Sequence, residues 1–144
     1  MNKENARILA VDPGEKNIGI AISDPGGILA RPLTVLRHVS MILDSAQIAN
    51  LAEENLVGMI IVGMPSGPDG EEIPQTRHAG KLIDSIRTQT QITVLAWDEW
   101  GSTKKARSAL IDAGVNRSKR GGHQDALAAA MILQSYLDDK RSKE

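Results

Sequence analysis

The sequence predicts an α/β domain: a mixed five-stranded sheet with helices on both faces, in the order βββαβαβα, with one short additional helix ahead of the last. Three observations carry this. Residues 7–36 hold three strand-like runs separated by tight-turn signals, the pattern of an antiparallel meander. Residues 40–97 alternate helical and strand patterns, which implies parallel crossovers. The last segment carries an apolar stripe at helical spacing. No repeat, linker or composition shift divides the chain, so residues 1–144 are expected to form a single domain with an ordered core of about 7–139.

Taken in order, residues 1–6 are polar and expected to fray. The first strand, about 7–12, is an apolar run that ends on a carboxylate, Asp12. Pro13-Gly14 breaks it, and Ile18, Ile20 and Ile22 alternate with small residues as a second strand, about 18–24. Asp24-Pro25-Gly26-Gly27 turns the chain into a third strand from Ile28 to about Leu36, and Pro32 inside it requires an edge position or a bulge. Ser40 can cap a helix running to about Asn55, with Ile48, Leu51 and Ala52 on one face. Val57–Gly63 is rich in β-branched residues with little alternation, as in a central strand covered on both sides. A turn-rich loop follows. Pro74 suits the first turn of a helix to about Gln89, and Ile92–Trp97 is a fifth strand ending on Asp98 and Glu99. Ser102 or Thr103 can start a short helix to about Ala113, stopped by Gly114. A basic loop over 115–122 leads to a final helix from about His123 to Asp139.

Composition narrows the function. A chain of 144 residues can bury a real core. Cysteine is absent, which removes disulfides and thiolate metal sites and fits a reducing compartment. No run approaches about 20 apolar residues, so a soluble cytoplasmic protein without membrane contact is expected. The net charge of −1 means that any nucleic-acid binding must come from a local basic patch. Trp97, Trp100 and Tyr136 are the only aromatic residues besides histidine, too few for a broad base-stacking surface.

The acids are the candidate chemistry. Asp12 ends the first strand, Asp98 and Glu99 end the fifth, and Asp125 leads the stripe Ala128, Ala129, Ile132, Leu133, Tyr136 and Leu137 of the last helix. Each has a plainer reading: Asp-Pro-Gly is a turn former, and an acid at a helix start complements the dipole. If the two strands are parallel, however, their ends share one rim with the helix start. Converging carboxylates repel and raise one another's pKa unless cations neutralise them. Magnesium favours a few carboxylate oxygens plus water and substrate phosphate. Two such ions about 4 Å apart activate water and stabilise the leaving oxygen of a phosphodiester. One or two Mg2+ or Mn2+ ions are therefore expected on Asp12, Asp125 and the Asp98-Glu99 pair.

A phosphate substrate also needs cations. Lys104, Lys105, Arg107, Arg117, Lys119 and Arg120 fall in a span whose only acid is Asp112, between two candidate ligands, and Lys16 follows Asp12 closely. A solvated basic surface is the plainer alternative. His38 and His78 stand alone in the sequence and are expected at the surface; of Trp97 and Trp100, at least one is expected in the core, and Trp100 could stack on a base. No P-loop, GxGxxG, zinc spacing or GxSxG motif occurs.

The stretch Asp12-Pro13-Gly14-Glu15-Lys16-Asn17-Ile18-Gly19-Ile20-Ala21-Ile22-Ser23-Asp24 resembles the D-x-G-x-K-x-I-G-x-A-x-S-D opening of the YqgF/RuvX family. Ala30-Arg31-Pro32-Leu33, Ile60-Ile61-Val62-Gly63-Met64-Pro65 with Asp69-Gly70, Asp98-Glu99 and Asp125-Ala126-Leu127-Ala128-Ala129 resemble its later segments, in order, over about residues 7–137. The resemblance implies a ribonuclease H-like fold and a nuclease. Its implied work is 5′-end maturation of pre-16S ribosomal RNA in ribosome biogenesis, or Holliday junction resolution. Asp12, Glu99 and Asp125 would be catalytic and metal-binding, with Asp98 a further acid, and structured RNA or branched DNA the partner. A junction resolvase cutting two symmetric strands would work as a homodimer. The chain departs from the family pattern at Trp100, where Arg follows the Asp-Glu pair, and at Gly101, where Leu is usual; Asn17 stands where Arg or Ser is frequent. A catalytically impaired nucleic-acid or pre-ribosome binding protein is the alternative that Trp100 favours. An actin-like phosphotransferase also opens with Asp-x-Gly between strands, but it needs a second lobe.

Overall fold

A computed structural model of the protein describes residues 6–65, 69–98 and 122–143. The strands are β1 (Arg7–Asp12), β2 (Asn17–Ser23), β3 (Ala30–Arg37), β4 (Val57–Met64) and β5 (Thr93–Asp98); the helices are α1 (Met41–Glu54), α2 (Pro74–Gln89) and α3 (Gly122–Ser142). They form one sheet in the order β3-β2-β1-β4-β5. β1–β2 and β2–β3 pair antiparallel, and β1–β4 and β4–β5 pair parallel. This is the expected mixed sheet, with the meander on one side and the crossovers on the other. The short helix expected between Ser102 and Ala113 lies outside the described residues.

Local chemistry explains the boundaries. Ser40 caps α1: its hydroxyl accepts the Leu43 N–H at 3.2 Å. Pro74 opens α2, where its missing N–H costs nothing. Thr76 ties that entry to the preceding loop: its hydroxyl accepts from the Ile73 N–H and donates to the Pro65 carbonyl. Pro32 satisfies both conditions its ring imposes, because β3 is an edge strand and its register with β2 shifts between Ile20 and Ala21.

The two faces of the sheet differ in the size of their side chains. Toward α1 and α2 point Leu9 and Val11 of β1, Ile18, Ile20 and Ile22 of β2, Ile60 and Val62 of β4, and Val94 of β5, which pack with Ile48, Leu82, Ile83 and Ile86. On the opposite face Ile8, Ala10, Ala21 and Ile61 pack under Ala129, Ile132, Leu133 and Leu137 of α3. α3 lies over β2, β3 and β1. It begins at the rim formed by the C-terminal ends of β1, β3, β4 and β5 and runs to the opposite rim. There the Gln134 carboxamide accepts from the Ala30 N–H at 2.9 Å and donates to the Ile28 carbonyl at 2.8 Å.

Candidate active site

β1 delivers Asp12 to the rim on the α3 side. Alternation sets this: Ile8 and Ala10 face α3, and Asp12 is the next residue of that row. Its Cα partner across the antiparallel pair is Gly19. Gly19 is the point at which the last helix touches the sheet. A Cβ there would lie 2.0 Å from the Asp125 carbonyl oxygen, 2.5 Å from its carbon and 3.2 Å from the Ala126 nitrogen. Backbone cannot yield as a flexible side chain can, so only glycine allows the first turn of α3 to sit this close. Cross-strand partners hold their Cβ positions about 5 Å apart, so the Asp12 side chain leaves the sheet within about 8 Å of the Asp125 backbone.

Both acids are nearly sealed from solvent, Asp12 at 3% exposure and Asp125 at 6%. Burying carboxylates is costly unless partners or cations compensate, and a negative charge in the first turn of α3 is favoured by the helix dipole. Both offer hard oxygen donors on rigid elements. That donor set suits Mg2+ or Mn2+ and does not suit soft metals. Among the described residues no three histidine, aspartate or glutamate side chains are grouped to hold a metal, and Glu99 lies outside the described residues.

Asp98 ends β5 opposite Met64 and is exposed. It belongs to the row of Val94, which faces α1 and α2, whereas Asp12 belongs to the α3 row. Pleating therefore sets Asp98 and Asp12 on opposite faces of the sheet. Trp97 is half-buried on the α3 side. Its ring meets Tyr136 edge-on at 5.2 Å, and its indole N–H donates to the Ser135 hydroxyl at 2.9 Å. An apolar body with a satisfied polar tip is a core role for this tryptophan. Trp100 lies outside the described residues, as do Lys104, Lys105, Arg107, Arg117, Lys119 and Arg120. Lys16 is exposed in the β1–β2 turn, at the same rim as Asp12.

The histidines are at or near the surface but do not stand alone, as their isolation in the sequence implied. His38 Nδ1 hydrogen-bonds the buried Asp44 carboxylate, which also accepts the Val39 N–H at 3.0 Å, and the His38 and His78 rings meet edge-on at 6.5 Å. Their sequence positions gave no sign of this, because it depends on β3 ending where α1 and α2 both begin.

An antiparallel meander followed by parallel crossovers, with an acid at the end of the first strand and another at the start of the last helix, defines the ribonuclease H-like class of fold. A family model described as RuvX, Holliday junction resolvase, matches residues 6–139, and the chain belongs to the RuvX family. A Thermoanaerobacter pseudethanolicus relative, named as a candidate pre-16S rRNA nuclease, is 38% identical over 138 residues, 95% of this chain and 99% of that protein. A Myxococcus xanthus protein of the same name is 37% identical, covering 94% of this chain and 89% of its own length. Among solved structures, Thermus thermophilus RuvC in complex with Holliday junction substrate superposes with a TM-score of 0.57 at 15% identity, over 93% of this chain and 96% of that one. The fowlpox virus Holliday junction resolvase gives 0.54 at 18% identity, over 92% and 99%. These structural likenesses establish the fold. With the family in place, the actin-like phosphotransferase alternative has no remaining support.

Proposed function

We propose that this protein is a nuclease that hydrolyses phosphodiester bonds, acting with Mg2+ or Mn2+ on structured RNA in the 5′-end maturation of pre-16S ribosomal RNA. The observation that carries the reading is the placement of two buried acids, Asp12 and Asp125, at one rim of the sheet, where the α3 backbone comes close to Gly19, the cross-strand partner of Asp12. Membership of the RuvX family supports nuclease chemistry, and the curated relatives at 37–38% identity carry the ribosomal name. Asp12 and Asp125, with Glu99 by its motif position, would hold one or two divalent ions. When bound, such ions activate water at neutral pH and offset charge on the leaving oxygen. The protein's own part is to fix the carboxylates on rigid elements and shield them from bulk water. Lys16, and the basic span from Lys104 to Arg120, would meet the backbone phosphates, contacts that position a strand without reading its sequence. No helix among the described residues is long and apolar enough to cross a membrane. The place of work in this reading is the cytoplasm, where ribosome precursors are matured.

A second reading, junction resolution by a homodimer, is favoured by the description of the family model. Cleavage with Mg2+ or Mn2+ of a pre-16S 5′-leader RNA, a four-way DNA junction and plain duplex DNA separates the two. The expected result is metal-dependent cutting of the leader RNA by the wild type and none by Asp12→Asn. Cutting of the junction alone transfers the assignment to resolution. Tight RNA binding without cutting of any substrate replaces the nuclease with the binding protein that Trp100 favours.

A further inference from the structure

Two histidines outside the candidate active site share one corner of the molecule. His38 follows the last residue of β3, and His78 lies in the second turn of α2. Leu36 packs into the α1–α2 core, and His38 is the next residue of its row, so the pleat turns His38 to that side of the sheet. His78 precedes Leu82 and Ile86 at helical spacing, so it extends the buried stripe of α2 toward the helix start. The two rings meet edge-on with their centroids 6.5 Å apart.

One of the rings is oriented from behind. Asp44 lies in the first turn of α1, where the helix dipole favours negative charge, and its side chain is 3% exposed. Its Oδ1 accepts the Val39 N–H at 3.0 Å, and its Oδ2 accepts from His38 Nδ1 at 2.5 Å. A carboxylate at Nδ1 places the proton there and leaves Nε2 with its lone pair, on a side chain that is 37% exposed. A buried carboxylate in this position fixes the tautomer of a metal-binding histidine and raises its basicity. The half-buried His78 ring contacts His38 and makes no hydrogen bond among the described residues, so its nitrogens are not spent within the fold.

We propose that His38 and His78 form a two-imidazole site for a transition-metal ion of the zinc class, with Asp44 as the positioning residue behind His38. Imidazole nitrogens suit Zn2+, Cu2+ and Ni2+, whereas the carboxylate oxygens of Asp12 and Asp125 suit Mg2+ and Mn2+. The two sites therefore select different ions. Two imidazoles on one tetrahedral ion, with bonds of about 2.0–2.1 Å, have centroids about 5 Å apart. Closing from 6.5 Å needs only side-chain rotation of His78, which no hydrogen bond among the described residues restrains. No third histidine or acid joins the pair among the described residues, so water fills the remaining positions. Lys16, whose carbonyl accepts the His38 N–H, and Arg77, beside His78, are exposed and turn their charges to solvent. A bound ion would tie the end of β3 to α2 across the start of α1. The site is independent of the nuclease reading.

The test titrates ZnCl2 into the full chain carrying Asp12→Asn and Asp125→Asn, with magnesium present, so that the acidic rim does not compete. Calorimetry gives affinity, and the histidine ring signals in NMR spectra report which imidazoles respond. The expected result is one ion, with the His38 and His78 signals shifting at a common midpoint and the melting temperature rising with zinc. His78→Ala should lower affinity by about tenfold or more and remove the zinc-dependent rise in melting temperature. Asp44→Asn should lower it by about 10- to 100-fold. His123→Ala, which removes the third histidine of the chain, should leave it unchanged. Because His78 makes no hydrogen bond, its variant keeps the test decisive if Asp44→Asn fails to fold. Response of one histidine only, separate midpoints, unchanged affinity in His78→Ala, or an equal loss in His123→Ala overturns the inference. None of these outcomes touches the cleavage experiment on which the nuclease reading depends.

Discussion

The two faces of the sheet are built on opposite principles. Toward α1 and α2, β2 presents Ile18, Ile20 and Ile22, large β-branched side chains that are fully or almost fully buried. Toward α3 the same strand presents Gly19, Ala21 and Ser23. One strand thus makes thick aliphatic core on one side and, on the other, a shallow seat for a helix backbone. Burial of each isoleucine stabilises the fold by about 1.5–3 kcal/mol. The glycine contributes nothing of that kind. It yields proximity, because the Asp125 carbonyl occupies the space its side chain would fill. Along β2 the larger aliphatic burial is therefore on the α1–α2 face, and the α3 face gives up packed volume there to bring the start of a helix close to the strand partner of Asp12.

The sharpest way to break this comparison is to remove charge on the α3 face. Asp125→Asn keeps the shape of the side chain and should reduce cleavage by about a thousandfold or more, the scale of several kcal/mol of transition-state stabilisation, with a melting temperature close to that of the wild type. Single-turnover rates alongside thermal denaturation check both halves. Next in size, Ile20→Ala empties a fully buried site on the other face. It should cost about 2–5 kcal/mol of stability by denaturant unfolding, and the rate of the folded fraction should stay near wild type. A large rate loss in Ile20→Ala would mean that the two faces are not separable.

The smallest effect is expected at the far rim, which belongs to neither function. Asp24 Oδ1 accepts the Leu29 N–H at 3.0 Å and the Ile28 N–H at 2.7 Å. These bonds favour the ionised form and hold the carboxyl below its ordinary value of 3.8. A depressed folded-state pKa means stability that is present above the unfolded value and lost as pH falls through the folded one. Asp24→Asn should therefore lower the melting temperature slightly at neutral pH, and the difference should shrink once the pH drops below about 4. Cleavage at neutral pH should be unaffected. Thermal melts from pH 7 to pH 2 check the trend.

Local pattern made most of the fold legible. An apolar run ending on Asp12, isoleucines alternating with small residues, a serine before α1 and a proline at the start of α2 each announce an element without help from the rest of the chain. The β2–β3 register that sets Arg37 opposite Asn17 could not be read this way, since it shifts between Ile20 and Ala21. The contact between His38 and His78 depends likewise on elements distant in the chain meeting in space. Asp98 is a different case. Its pleat row was readable, because neighbours in a strand face opposite ways, and the adjacent pair Asp98-Glu99 cannot both continue the row of Trp97. Gly19 left a trace as one of the small residues between isoleucines, but nothing in the sequence said that a helix backbone would rest on it.

That contact is the most direct place to test whether the small-residue face makes the site. The measurement is the magnesium dependence of single-turnover cleavage of pre-16S 5′-leader RNA by the wild type and by Gly19→Ala. The added methyl must push the start of α3 away from Asp12, and displacements of about 1 Å cost on the order of a hundredfold in rate. The predicted result is a maximal rate lower by that order and a magnesium midpoint shifted upward, in a protein that still melts cooperatively. A Gly19→Ala variant with the wild-type rate and the wild-type magnesium midpoint would contradict the account.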